Sequence, residues 1–143
     1  MKKIILATIL IFTTTLCLAN EARLSWNLYV EIPENFNHIP EQGIDSKIGK
    51  ILNDDESIII RYDLGRLAGL YADPKEANNY KIFEEGEIDQ TKYYYAVDKQ
   101  DNLYVTFPDY GLNFIYKLKS NEDYRNILNL ILTFKLKLKL NNL

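Results

Sequence analysis

The sequence predicts an α+β fold: an antiparallel sheet of about five to seven strands packed against a C-terminal helix, in one domain. Three observations carry that reading. Residues 91–118 alternate apolar and polar side chains with a period of two, broken by turn sequences. The period then changes, and Tyr124, Ile127, Leu128 and Ile131 recur at helical spacing. The chain has 143 residues, the length of one domain.

Taken in order, the first nineteen residues read as a secretory signal peptide. Lys2 and Lys3 give a positive start, and Ile4 to Phe12 form an apolar run. Cys17 and Ala19 place small residues at −3 and −1 of a cleavage before Asn20. A membrane anchor is the alternative. The sixteen residues from Ile4 to Ala19 include four threonines and fall short of the ~20 apolar residues that a span needs. Cys17 also raises lipidation, but Leu16 stands where the processing enzyme wants a small residue. The expected destination is the periplasm or the cell exterior, with residues 20–143 as a single folded domain and no stable membrane span after cleavage.

Residues 20–143 retain fifteen of the basic and all twenty of the acidic residues, a formal charge of −5. That balance argues against nucleic acid, whose binding needs a basic surface. The only cysteine leaves with the leader, so an exported domain must rely on its core without disulfides.

Trp26 to Ile32 reads as a strand that ends at Pro33, and 33–43 as a loop with a second proline at Pro40. Lys47 to Leu52 is a short strand, NDDE at 53–56 a turn, and Ser57 to Asp63 a strand buried on both faces. Leu64 to Ala72 reads as one or two helical turns, and Asp73-Pro74 opens a polar loop. In the meander that follows, Tyr93, Tyr95 and Val97 share a face. So do Leu103, Val105 and Phe107, and then Leu112, Phe114, Tyr116 and Leu118. KQDN at 99–102 and PDYG at 108–111 supply the turns. Ser120 is the expected N-cap, with Asp123 three residues on, and the helix runs for about twelve residues. Phe134 to Leu140 alternates with Lys135, Lys137 and Lys139 as a last strand with its lysines in water.

GIDSKIGK at 43–50 invites a nucleotide-binding reading and does not sustain it. Five residues separate Gly43 from Gly49, Ile51 stands where the magnesium-binding hydroxyl belongs, and no helix follows. No nucleotide is expected.

Trp26, Ile32-Pro33, Gly43-Ile44-Asp45-Ser46, Gly49 and Tyr62-Asp63-Leu64-Gly65 occur in that order. This pattern resembles a group of small exported bacterial proteins of uncharacterised function. The terminal ILNLILTFKLK resembles the end of PsbP-like α/β sandwiches. The resemblance implies a fold and an export route and no reaction; PsbP-like domains serve mainly as binding and assembly modules.

Catalytic constellations are thin. His38 is the single histidine, and with no cysteine beyond residue 19 a zinc site lacks ligands. Neither Ser25, Ser46, Ser57 nor Ser120 lies in a nucleophile elbow. Asp54, Asp55 and Glu56 form one acidic group, and Glu84, Glu85, Glu87 and Asp89 another; a carboxylate hydrolase acting on cell-wall glycan, with Glu85 or Asp63 as candidates, is the alternative function. DKQDN at 98–102 lacks the spacing of a calcium loop. Eleven tyrosines suit either sheet packing or an interface. Tyr94, Tyr110 and Trp26 are the candidate interaction residues. The expectation is a non-enzymatic binding module without a cofactor or metal, whose partner is another envelope or secreted protein. A small-ligand or lipid carrier is a further alternative.

Overall fold

The computed structural model describes residues 19–65 and 67–139. The expected leader up to residue 18, including Cys17, and the expected end of the last strand at Leu140 lie outside the described residues. Among the described residues, ten strands and one α-helix form an α+β sandwich. Strands β1 (Ala19–Arg23), β2 (Leu28–Pro33) and β10 (Lys135–Leu138) make a three-stranded antiparallel sheet in the order β1-β2-β10. Strands β3 (Phe36–Gln42), β4 (Lys47–Asn53), β5 (Ile59–Leu64), β6 (Ile82–Ile88), β7 (Thr91–Val97), β8 (Asn102–Phe107) and β9 (Leu112–Lys117) make the larger sheet. Its order is β3-β4-β5-β9-β8-β7-β6.

The large sheet is two meanders, β3 to β5 and β6 to β9, joined side by side where β5 pairs with β9. Its inner face carries Ile60, Tyr62, Leu64, Leu103, Val105, Phe107, Leu112, Phe114 and Tyr116, all buried. The small sheet adds Leu28, Val30 and Ile32, and helix α1 (Tyr124–Leu132) adds Ile127, Leu128 and Ile131. Nine residues are too few to hold a helix alone in water, so this buried stripe sustains α1. Phe134, where α1 passes into β10, lies edge-on to Phe36 at 6.3 Å and to Phe114 at 5.9 Å between ring centroids.

Several expectations are corrected. The segment 33–43 is not a loop, because Phe36–Gln42 forms β3. It is an edge strand, and an edge accommodates Pro40 because the missing N–H has no neighbour to serve. Strand β5 is buried on one face only: Ile60, Tyr62 and Leu64 point inward, whereas Ile59 and Arg61 are exposed. No helix forms over 64–72 among the described residues; the chain there crosses the outer face of the sheet, and the next turn of helix is a 3₁₀ segment at Pro74–Asn79. Residues 82–88, between the polar loop opened at Asp73-Pro74 and the meander, form a strand that the sequence reading does not include, the edge strand β6, where charges deter further pairing. Asp123, not Ser120, caps α1: its carboxylate accepts from the Arg125 N–H at 3.0 Å. The final strand joins β2 in a second sheet that local periodicity did not reveal, and Lys137 and Lys139 pair with Glu31 and Glu21. Among the described residues, no helix is long and apolar enough to cross a membrane.

Candidate functional site

The GIDSKIGK stretch resolves into a hairpin. Gly43 to Ser46 turns between β3 and β4, with Ile44 wholly exposed at the tip. Gly49 sits inside β4 opposite Tyr62. The absent Cβ leaves room for the Tyr62 ring, whose hydroxyl reaches across β4 to His38 Nε2 at 2.8 Å. Burial, aided by the charge of Glu41, pushes the Tyr62 hydroxyl up to about 12. The lone histidine is thus paired with a tyrosine rather than a serine. Burial holds the His38 imidazole below its ordinary pKa, so the folded state takes up its proton at lower pH than the unfolded chain, which protonates near pH 6.5. Where the folded pKa is depressed, the unfolded state binds more protons and stability falls as pH drops. Denaturation of wild type and His38→Asn at about pH 7 and about pH 5 should show the smaller loss in the variant; parallel losses would mean that His38 does not titrate against the fold.

The acidic groups do not converge. Asp54 accepts from Asn37 Nδ2 and Asp55 from the Ser57 N–H, both on an exposed turn. On β6, alternation sends Glu84 to the Tyr95 hydroxyl and Glu85 to Lys92 at 3.1 Å. Across the sheet, Asp63 pairs with Asn113, Asn113 with Thr106, Thr106 with Tyr94, and Tyr94 with Glu85. Four strand spacings therefore separate Asp63 from Glu85, roughly 19 Å. A glycosidase pair stands roughly 5–9.5 Å apart. Among the described residues, no three of His, Cys, Asp and Glu come together as a metal site.

Sequence reasoning missed the polar seam on the outer face. Asn113 and Thr106 are completely buried there. Residues 65–81 lead from β5, in the middle of the sheet, to β6 at its edge, and part of this crossing forms a strap over the seam. Asn113 Oδ1 accepts from the Tyr71 N–H at 3.0 Å and from the Thr106 hydroxyl at 2.7 Å, while its Nδ2 donates to the Gly69 carbonyl at 3.0 Å. The Ala72 N–H donates to Thr106 Oγ1 at 3.0 Å. The Tyr71 hydroxyl donates to Asp63 Oδ2 at 2.6 Å; that bond, with burial second, pushes it up to about 12. Asp63 Oδ1 is buried with no hydrogen-bond partner among the described residues. The available signal was an asparagine in mid-strand, where that residue type is depleted.

Of the three candidate interaction residues, two come together. Trp26, in the turn between β1 and β2, and Tyr110, in the turn between β8 and β9, line one groove of about 620 Å³ with Leu28, Lys47, Leu64 and Leu138. Trp26 is 65% and Leu138 57% exposed, and Leu67 is exposed on the loop that follows β5. The groove is tied together by backbone bonds: Lys139 N–H donates to the Asn27 carbonyl at 2.9 Å, and Gly65 N–H to the Gly111 carbonyl at 3.1 Å. Gly111 closes the Tyr110 turn in the left-handed region (φ 60°), where a side chain would be strained. Tyr110 also borders neighbouring hollows of about 540 and 480 Å³. Tyr94 lies elsewhere. It is on the outer face, stacked on Phe83 at 5.9 Å, with the Lys92 ammonium 5.1 Å from its ring centre.

Fold and groove together define an antiparallel α+β sandwich with an apolar end formed by its loops. Compared with models of known protein families, with curated proteins and with solved structures, the chain matches none.

Proposed function

We propose that this is an exported, non-enzymatic binding module that works in the periplasm or outside the cell and engages another envelope or secreted protein. The observation that supports it is the loop-end groove, where the exposed Trp26 and Leu138 gather apolar surface beside the half-buried Tyr110. Large aromatics at a partly desolvated hollow are the side chains that carry most binding energy in protein interfaces. The export part of the reading rests on the leader pattern of residues 1–19. Cleavage before Asn20 would remove only Ala19 from β1 and leave the small sheet paired.

The test uses a chain tagged after residue 19 and exported behind its own leader, with capture from envelope and medium fractions. One protein in near-stoichiometric amount is expected, lost from the Trp26→Ala/Leu138→Ser double variant while its circular dichroism stays that of wild type. Trp26 is the sole tryptophan, so its emission should shift to the blue when purified partner is added. Capture that the double variant leaves intact would remove the groove from the reading. Turnover of cell-wall glycan by the purified chain would replace it with the hydrolase.

A further inference from the structure

We propose a second binding site, on the outer face of the large sheet, for the quaternary ammonium group of a choline-like ligand. It stands independently of the loop-end groove. A hollow of about 350 Å³ is lined by Tyr71, Tyr80, Tyr104 and Asp98. The Tyr71 and Tyr104 rings meet at 89° with centroids 5.9 Å apart and form two walls at a right angle. Tyr80, stacked at 5.9 Å on Phe83, adds a third.

The chemistry of the hollow follows from what its polar atoms are already doing. Each phenol has spent its proton inside the protein: Tyr71 on Asp63, Tyr80 on the Tyr71 carbonyl at 2.6 Å, and Tyr104 on Asp98 at 2.9 Å. Burial first, and the bond to Asp98 second, push the Tyr104 hydroxyl up to about 12, so it stays a donor. The rings are locked and offer π surface, whose negative face attracts cations. Asp98 is equally committed. Its Oδ1 accepts from the Gln100 and Asn102 N–H groups at 2.9 and 2.8 Å, and its Oδ2 from Asn102 Nδ2 at 2.8 Å as well as from Tyr104. These four donors fill the four lone-pair sites of a carboxylate. Burial favours the neutral acid, but the hydrogen bonds from Asn102, Tyr104 and Gln100 prevail and hold Asp98 below the usual carboxylate range. A charge thus remains at the hollow with no lone pair to give. A primary ammonium would find the carboxylate lone pairs already taken and only the weakly accepting phenol oxygens left for its three N–H groups. A quaternary ammonium has no N–H to satisfy, spreads its charge over methyl groups and fits ring faces beside a fixed anion. The neighbouring Lys81 is tied to Asp101 at 2.7 Å, and the chain is acidic overall, so the field favours a cation.

The experiment is a titration of the intact mature chain with choline, followed by backbone amide shifts. In parallel, 3,3-dimethylbutan-1-ol serves as the uncharged isostere. Saturable choline shifts should centre on Tyr71, Tyr80 and 98–104, with the alcohol weaker by about tenfold. Equal binding of the alcohol would make the hollow merely apolar and overturn the proposal. So would shifts confined to other parts of the chain, or none at tens of millimolar choline. Tyr80→Leu should weaken choline and leave the alcohol nearly unchanged. Asp98→Asn should bring the two ligands together; because that variant disturbs the β7–β8 turn, the wild-type comparison decides if it fails to fold. Phosphocholine micelles separate the sources: shifts at lower concentration on micelles than with free choline assign the site to a lipid head group, and the reverse to a free solute.

Discussion

Replacing Gly49 by valine is expected to lower the stability of the fold by about 2–6 kcal/mol, the sum of overpacking at about 1–3 and a stranded polar group at about 1–3 kcal/mol. A Cβ at this position would stand 2.6 Å from the Ile39 carbonyl oxygen, 2.6 Å from the Tyr62 hydroxyl and 2.7 Å from its ring. Ile39 belongs to the neighbouring strand and cannot yield without breaking the β3–β4 ladder. Tyr62 is 2% exposed, and turning it away would leave its hydroxyl without His38. In urea the midpoint should fall by roughly 1–3 M, given a slope of about 2 kcal/mol/M. Removing the ring should compensate in part, so Gly49→Val with Tyr62→Leu should lose less than the two single changes added together. A loss under about 1 kcal/mol, or strict additivity, would show that the glycine is not there to seat the tyrosine. The β6–β7 pair repeats the arrangement, with Gly86 beneath the Tyr93 ring, so both meanders use a glycine to seat an aromatic side chain on the strand opposite.

What could be read from the sequence tracks how local the cause was. Strands β7, β8 and β9 and helix α1 were legible because one buried face imposes a period on consecutive residues: Leu103, Val105 and Phe107 carry it, and so do Ile127, Leu128 and Ile131. The edge strands were not, since Pro40 in β3 and the glutamates of β6 are tolerated only for want of a further neighbour, which no local pattern announces. The destination of β10 depends on pairing with β2, about a hundred residues earlier in the chain. Leu64 to Ala72 reads as helical turns in the sequence, yet the Tyr71 and Ala72 N–H groups bond to Asn113 and Thr106. The site was legible to the same degree. Trp26 reads in the sequence as the start of a strand and Tyr110 as part of a turn; the structure puts both in turns, and only topology could bring them to one groove. Tyr94 was marked by the same composition, but Phe83 and Lys92 occupy its ring. The tyrosines that build the outer hollow were missed, because Tyr71 and Tyr80 arrive on a strap that the sequence presents as helix and loop.

That strap should come loose when Asn113 is changed to alanine. The side chain makes three hydrogen bonds, two of them to the strap backbone, and it is fully buried. Its removal strands the Tyr71 N–H and the Gly69 carbonyl, each at about 1–3 kcal/mol if they stay dry. The strap has a cheaper course, because Gly69 and Leu70 are already exposed and can lift to admit water. Global stability should therefore drop by about 3 kcal/mol at most, with the excess appearing as local opening. Hydrogen exchange distinguishes the two: the Tyr71 and Ala72 amides should lose protection by about a hundredfold while the amides of β8 change less. Thr106→Val, which removes the acceptor of the Ala72 N–H, should act on the same unit and add little to Asn113→Ala. Because Tyr71 is one wall of the outer hollow, choline binding should weaken in step with the lost protection. Unchanged exchange at Tyr71 and Ala72 would mean that the strap is held by its aromatic contacts, Tyr71 on Tyr104 and Tyr80 on Phe83, and not by the buried asparagine.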